Sequence, residues 1–121
     1  MTLEELYAAM EGDYDQAVRV LRIEKLIDKH IRKFPNNEIF DVLAEADAKM
    51  DGEGLFEAAH AIKGVCANLG LTKISVLASE VCEDFRSGRP RSKTDEEIHA
   101  LVKEILRLRQ VAIDALAAYA A

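Results

Sequence analysis

Residues 98–119 contain a long apolar repeat whose period only an α-helix matches. It begins behind Thr94-x-x-Glu97, the spacing of a capping box, in which the two side chains bond to each other's backbone N–H groups. Apolar residues then recur at alternating steps of three and four, the period of one helix face. That face comprises Ile98, Leu101, Ile105, Leu108, Ala112, Ala115 and Tyr119. A helix of this length with one apolar face needs neighbouring elements that cover it.

Five further helical patterns precede the long helix, and turn residues separate them. In chain order they are a short helix opened by the capping box Thr2-x-x-Glu5 and ended near Gly12, a helix of about 13–34 bent near Arg22, a helix capped by Asn36 and reaching about Met50, a helix capped by Asp51 and ended at Gly70, and a helix of about 71–87. The segment of residues 87–93 is predicted to be a loop, because it contains Gly88 and Pro90.

The helical patterns together predict the fold class. Apolar residues of the 13–34 segment are assigned to one buried face, which consists of Val18, Leu21, Ile23, Leu26, Ile27, Ile31 and Phe34. No segment has the alternating pattern of a strand. Several helices joined by short turns favour an all-α fold, an antiparallel up-and-down four-helix bundle with one or two additional short N-terminal helices. Residues 1–121 are expected to form a single domain.

Composition excludes several classes of function. A net charge of −6 argues against a nucleic-acid-binding surface, because phosphate binding requires an excess of clustered basic residues. The one basic cluster is interpreted as a solvated loop beside a helix C-terminus; it contains Arg86, Arg89, Arg91 and Lys93.

Without a signal-peptide pattern or a membrane-spanning apolar run, a cytoplasmic location with no membrane contact is expected. Cys66 and Cys82 fall inside helical patterns and are predicted to be small, reduced core residues.

Residues 58–70 place a glycine inside an alanine-rich helical stretch, where it costs about 1 kcal/mol relative to alanine. At roughly 100° per residue, Gly64 projects almost opposite the apolar stripe of this helix, and His60 and Lys63 lie beside it. The stripe consists of Leu55, Ala59, Ile62, Cys66 and Leu69. A packing role for Gly64 inside the bundle is therefore a poor explanation. The glycine is instead predicted to leave open space next to an exposed His60.

An exposed imidazole, a neighbouring cation and open space can together carry a phosphoryl group. Lys63 supplies a mobile positive charge suited to a group that becomes dianionic. The absent side chain of Gly64 lets a partner approach the ring. Phe56 and Ala67 fall on the same side of the helix and are predicted to form an apolar shoulder for partner docking. Each residue taken alone has an ordinary surface explanation, and the hypothesis depends on their combination in one helix.

The motif His60-x-x-Lys63-Gly64, followed by Asn68-Leu69-Gly70, resembles the signature of histidine phosphotransfer domains of two-component phosphorelays. The resemblance is closest over residues 51–88. It implies that His60 is the phosphorylated residue, through the ring nitrogen farther from the backbone, that Lys63 contacts the phosphoryl oxygens, and that Gly64 keeps the site accessible. Cys66 stands where many members have a small hydroxyl residue. Cys82 stands in the region where several members have a glutamine near the histidine.

The resemblance further implies a phosphocarrier that shuttles a phosphoryl group between receiver-domain aspartates. The expected partner is a response-regulator receiver domain, which supplies the aspartate and Mg²⁺, and a hybrid sensor histidine kinase is a further possible partner. No cofactor or metal site and no autonomous kinase activity are expected, since the sequence has no metal-binding carboxylate cluster and no nucleotide-binding glycine loop. Two alternatives remain open: the phosphoacceptor domain of a chemotaxis-type kinase, and a helical adaptor that transfers no phosphate.

Overall fold

Helices make up all the regular structure in the computed structural model, which describes residues 1–120. The seven α-helices of these residues are α1 (Leu3–Ala9), α2 (Tyr14–Leu21), α3 (Glu24–Ile31), α4 (Ile39–Lys49), α5 (Gly52–Asn68), α6 (Thr72–Asp84) and α7 (Asp95–Ala120), and a 3-10 turn at Phe34–Asn36 precedes α4. The predicted all-α fold class is confirmed. None of these helices is both long enough and apolar enough to cross a membrane.

At three of the predicted helix starts, side chains accept hydrogen bonds from backbone N–H groups of the first turn. Thr2 and Glu5 form a reciprocal capping box at α1, and Thr94 and Glu97 form the same arrangement at α7. Asp51 caps α5 by accepting from the amide of Gly54 at 3.2 Å. These caps satisfy amides that have no partner within the first turn of a helix, so they fix where each helix begins.

The last four helices pack against one another. Helix α5 contacts α4 and α6, and α7 contacts α6 and α4. Asp47 contacts His99 at 2.7 Å and Asp41 contacts Arg109 at 3.5 Å, so α4 and α7 run in opposite directions. The apolar faces of these helices meet in a core of fully buried side chains that includes Phe40, Leu43, Leu55, Ile62, Val81, Ile98 and Ile105.

The helix predicted for residues 13–34 is two helices, and the prediction of a mere bend was wrong. Arg22 adopts a positive φ of 73°, which ends α2 and lets α3 start at Glu24 in a new direction. Consequently Ile23 and Leu26, which were assigned to the buried face, are 54% and 38% exposed. Three short helices therefore precede α4, where the sequence predicted one or two.

The cap predicted at Asn36 was wrong, because the N-cap position of α4 is Glu38, whose side chain makes no capping hydrogen bond. Asn36 belongs to the 3-10 turn, and the side chain of Asn37 accepts from the amide of Ile39 at 3.0 Å. Pro35 lies within this turn and supplies no backbone N–H. The start of α4 is therefore shifted to Ile39.

Gly70 ends α5 and joins it to the N-terminal helices. Its φ of 75° lies in the region that glycine adopts without strain, as the sequence predicted for a C-terminal glycine. The Gly70 carbonyl accepts from the amide of Asp13 at 2.7 Å, and the preceding carbonyl of Leu69 accepts from the buried hydroxyl of Tyr7 at 2.6 Å. These bonds attach α1 and α2 to the end of the helix that carries His60.

Candidate functional site

Helix α5 has one buried side and one exposed side, as its sequence predicts. Four apolar residues of the predicted stripe are fully buried and Leu69 is only 7% exposed. His60 and Gly64 lie on the exposed side. The orientation follows from burial of the apolar stripe, which fixes the rotation of the helix about its axis. His60 is therefore exposed on the surface of the bundle.

The His60 imidazole is bordered by an aromatic ring and a thiol. Phe56, one helical turn earlier, stacks on it with ring centroids 5.8 Å apart and planes 8° apart. On the facing helix α6, the Sγ of Cys82 lies 3.9 Å from Nδ1. The other ring nitrogen, Nε2, lies across the ring from the atom that meets Cys82. These two contacts restrict the ring and leave Nε2 on the side away from the thiol.

The space outside Gly64, one helical turn after His60, is empty. A Cβ atom added to Gly64 would meet no atom within 4 Å, and the backbone there is ordinary helix. Neither a close packing contact nor a positive φ therefore requires glycine at this position. The space that a side chain at Gly64 would occupy is open.

Lys63 lies one turn from His60 and is partly exposed. Its carbonyl accepts a hydrogen bond from the hydroxyl of Ser75 on α6 at 2.9 Å, so the backbone at this position is tied to the facing helix. Since His60 faces Cys82 and Lys63 faces Ser75, α5 and α6 run antiparallel. The charge of Lys63 acts on two side chains of α6, where it contributes to lowering the pKa of Glu83 and opposes the rise in the pKa of Cys82.

The three arginines of the basic cluster at the end of α6 are paired with carboxylates. Arg86 donates to both oxygens of Glu83 at 2.7 and 2.9 Å, and Arg89 donates to the same carboxylate at 3.0 Å. Bonds from Arg86 are the main cause that lowers the pKa of Glu83 to about 2, and the charges of Arg89 and Lys63 contribute. The guanidinium of Arg86 also lies 5.6 Å from the centre of the Phe56 ring. Glu83 is therefore a fixed negative charge among several cations near the site.

Asp84 anchors the loop that follows α6. Its carboxylate is only 3% exposed and accepts from the amides of Ser92 and Lys93, the hydroxyl of Ser92 and the guanidinium of Arg91. Burial alone would raise the pKa of Asp84, but these donors outweigh it and the pKa lies below its usual value. The predicted loop is thus held against the end of α6 by one buried carboxylate.

Phe56 and Ala67 occupy the outer side of α5 but are both partly buried. Phe56 is covered in part by His60 and Arg86. The more exposed apolar side chains of these two helices are Val65 on α5, which is 37% exposed, and Val76 on α6, which is 57% exposed. The structure thus brings Phe56 directly to His60, whereas Ala67 lies almost two turns beyond the imidazole on the same helix.

Sequence reasoning assigned neither Glu83 nor Arg86 of α6 to the site, and only the family resemblance pointed to the region of Cys82. Both cysteines are free and buried, as predicted. Periodicity places Cys82 towards the interior of the bundle but gives no information on which residue of α5 it meets. That pairing depends on the relative position of α5 and α6 along their axes, which is set by packing across the whole interface.

Comparison with known proteins identifies the family. A family model described as Hpt domain matches residues 2–111, a range that includes His60 and all of the residues around it. Neither the curated proteins nor the solved structures gave a match. Hpt domains carry out histidine phosphotransfer in two-component signalling and interact with response-regulator receiver domains. Because the match covers well over half of the sequence, the protein belongs to the Hpt domain family.

Proposed function

We propose that this protein is a phosphocarrier that takes a phosphoryl group from the aspartyl phosphate of one receiver domain and passes it to another, with His60 as the carrier residue. The observation that supports this most directly is the exposed imidazole, with Nδ1 against Cys82 and open space beside Gly64. A reacting group must reach Nε2 without displacing protein atoms, and the exposure of His60 supports this.

The transfer step exchanges one phosphorus bond for another. The Nε2 lone pair of His60 attacks the phosphorus atom, and the bond between phosphorus and the aspartate oxygen breaks, with its electron pair remaining on the carboxylate. The proton on Nδ1 stays in place, so no general base is needed. Phosphoryl transfer of this kind depends mainly on positioning and on neutralisation of the phosphoryl oxygens. The receiver's acidic pocket would supply Mg²⁺ for part of that neutralisation.

Lys63 is the residue of this chain proposed to contact the phosphoryl oxygens. It lies three residues from His60, so the two side chains are neighbours on the helix surface. A lysine is a compact point charge on a flexible stem and can follow the phosphoryl group as it moves from the aspartate to the histidine. The carboxylate of Glu83, whose pKa the charge of Lys63 helps to lower, is already bonded to Arg86 and Arg89. The ammonium group of Lys63 is therefore available to contact the phosphoryl oxygens.

Replacing Lys63 by alanine is expected to slow transfer from a phosphorylated receiver about tenfold, which corresponds to one lost charge-assisted hydrogen bond in the transition state. Single-turnover transfer of labelled phosphate measures the effect. Lys103→Ala, which removes an exposed lysine from α7, is the matched control for net charge. Equal rates for the two variants would contradict the role of Lys63.

Replacing Gly64 by alanine is expected to stabilise the protein and impair its function. Alanine is the better helix former by about 1 kcal/mol, and its Cβ meets no atom within 4 Å. The same Cβ occupies the approach to His60, so transfer should slow, and it should slow further in Gly64→Gln. Urea unfolding and single-turnover transfer, measured on the same samples, separate the two effects. Unchanged transfer in both variants would contradict the role assigned to Gly64.

Phe56, Ala67 and the exposed side chain of Val65 are proposed to belong to the surface that docks the receiver. Phe56 supports the ring that reacts, and Val65 adds exposed apolar area next to Gly64. Apolar residues at the centre of a contact exclude water from the transferring group, which strengthens the electrostatic interactions there.

The function is tested by incubating the protein with a panel of phosphorylated receiver domains and locating the acquired label. Label that is acid-labile, base-stable and located at His60 supports the proposal. A parallel incubation with a histidine kinase catalytic domain and ATP tests the alternative of a kinase phosphoacceptor domain. Label from ATP and the kinase domain but from none of the receivers would favour that alternative. Absence of label from both sources would favour an adaptor without phosphate transfer.

A further inference from the structure

A cleft of about 300 Å³ lies between the end of α3 and the outer side of α5. Four of the residues that line it are apolar and come from α2, the 3-10 turn and α5: Leu21, Phe34, Val65 and Leu69. Phe34 and Leu69 are buried and Val65 is 37% exposed, so the cleft opens to solvent from an apolar base. Small-molecule sites are concave, mostly apolar and at least about 300 Å³ in volume. The cleft therefore meets the lower limit of size for such a site.

The polar residues that line the cleft can all donate hydrogen bonds. They are His30, Lys33, Asn37 and Asn68. Within residues 1–120, the side chains of His30, Lys33 and Asn68 make no hydrogen bond and no ion pair. Asn37 uses only its side-chain oxygen, which accepts from the amide of Ile39. An ammonium group, an imidazole N–H and two side-chain NH₂ groups are thus available to a ligand.

No carboxylate lines this cleft in the part of the chain that the structure describes, although the sequence has 22 acidic residues and a net charge of −6. Three other surface clefts, of about 540, 600 and 370 Å³, each include at least three carboxylates. The charged residues that adjoin the lining in sequence are Arg22, Lys29, Glu38 and Arg32, the last of which is paired with Asp28. The cleft is therefore locally positive, which favours an anionic ligand.

We propose that the cleft binds small carboxylates that carry an aromatic ring or an alkyl chain. The apolar part packs against Phe34 and Leu69, and the carboxylate accepts hydrogen bonds from Lys33 and Asn68. An ionised carboxylate is an acceptor only, so it suits a rim of donors, and its bond to an ammonium group is charge-assisted. Inorganic anions lack the apolar part, and neutral ligands leave the ammonium group of Lys33 unpaired.

The cleft adjoins the surface proposed to dock the receiver. Val65 belongs to both, and Asn68 lies about 12 Å beyond His60 along the axis of α5. Gly64, Val65 and Asn68 are all exposed, so the outer side of α5 continues from the imidazole to the cleft. A bound ligand therefore occupies part of that docking surface and slows phosphoryl transfer. This consequence rests on the function proposed above, whereas the binding site does not.

Binding can be measured without a receiver. The probe is 2-naphthoate, which is titrated into the ¹⁵N-labelled protein at constant pH and ionic strength while the amide chemical shifts are recorded. We expect saturable shifts centred on Lys33, Val65, Asn68 and Leu69, with a dissociation constant on the order of 1 mM for a ligand of this size. Shifts that do not saturate, or that centre on another part of the protein, would overturn the proposal.

The role of the carboxylate is tested with 2-naphthamide, which has the same rings and no charge. It should bind the wild-type protein at least about threefold more weakly than 2-naphthoate, because it cannot form the charge-assisted bond. This comparison needs no variant to fold. Equal affinities for the two compounds would show that the cleft does not select an anion and would overturn the proposal.

The role of Lys33 is tested by Lys33→Gln, which should weaken binding of 2-naphthoate about three- to tenfold and leave binding of 2-naphthamide unchanged. Lys29→Gln is the matched control, since Lys29 is an exposed lysine one turn earlier that does not line the cleft. It should leave both affinities close to those of the wild type. Equal losses in the two variants would contradict a direct bond from Lys33.

The same probe separates the binding site from the proposed function. At a saturating concentration, 2-naphthoate should slow transfer from a phosphorylated receiver to His60 several-fold in the wild type and less in Lys33→Gln. Saturable shifts with no label at His60 from any receiver would refute the carrier function and retain the binding site. Efficient labelling of His60 with no saturable shifts would retain the carrier function and refute the binding site. Saturable shifts with an unchanged transfer rate would refute the effect of the ligand on docking.

Discussion

Replacing His60 by glutamine is expected to abolish phosphoryl labelling of the protein completely. The substitution removes the imidazole proposed to accept the phosphoryl group, and an amide nitrogen has no lone pair available for attack. Because His60 is exposed and glutamine is a good helix former, the free energy of unfolding should change by no more than about 1 kcal/mol. Label transfer from a phosphorylated receiver and thermal unfolding, both measured on one preparation, test the two statements together.

The matched controls for this variant are His30→Gln and His99→Gln. Both histidines are exposed on other helices, α3 and α7, and neither is followed by a lysine and a glycine at the spacing found after His60. Each control should accept label as the wild-type protein does. Label that persists in His60→Gln, or that disappears in either control, would assign the carrier role to another residue.

Replacing Gly70 by alanine is expected to destabilise the protein by about 3 kcal/mol, which combines backbone strain with overpacking. Its φ of 75° is unfavourable for any residue with a side chain. An added Cβ would also clash with the carbonyl oxygen of Asp13 and lie 3.0 Å from Ala17, so α2 would have to move. In thermal unfolding the midpoint should fall by roughly 10 °C.

Substitutions at two other glycines separate the cost of backbone strain from the cost of the close contact. Gly88 has nearly the same φ, 79°, but an added Cβ would meet no atom within 4 Å, so Gly88→Ala should cost only the strain, about 1 kcal/mol. Gly64 has neither a strained backbone nor a close neighbour, and Gly64→Ala should stabilise the protein. A Gly70→Ala variant as stable as Gly88→Ala would show that the contact with Asp13 imposes no penalty.

Features that depend on nearby residues were predictable from the sequence. The caps at Thr2, Asp51 and Thr94 depend on residues three positions apart, and the exposed side of α5 depends on the helical period. For the same reason His60, Lys63 and Gly64 could be placed on one outer surface before the structure was considered. The family match agrees with the resemblance that these residues carry.

Features that depend on packing between distant segments were not predictable. Arg22 is not a residue type that commonly adopts a positive φ, so its identity did not predict the break between α2 and α3. The thiol of Cys82 has the sequence signature of a core residue, and only the relative position of α5 and α6 brings it to His60. The pairing of the arginines after α6 with Glu83 and Asp84 likewise depends on the path of the loop.

The attachment of α1 and α2 to the end of α5 does not depend on the outward-facing side chains of α1 and α2. It uses the carbonyls of Leu69 and Gly70, the amide of Asp13 and the inward-pointing hydroxyl of Tyr7. The exposed apolar side chains beyond it, such as Val20 and Ile23, take no part in these bonds. Substitutions on that outer surface are therefore expected to leave the attachment of α1 and α2 to the helix that carries His60 unchanged.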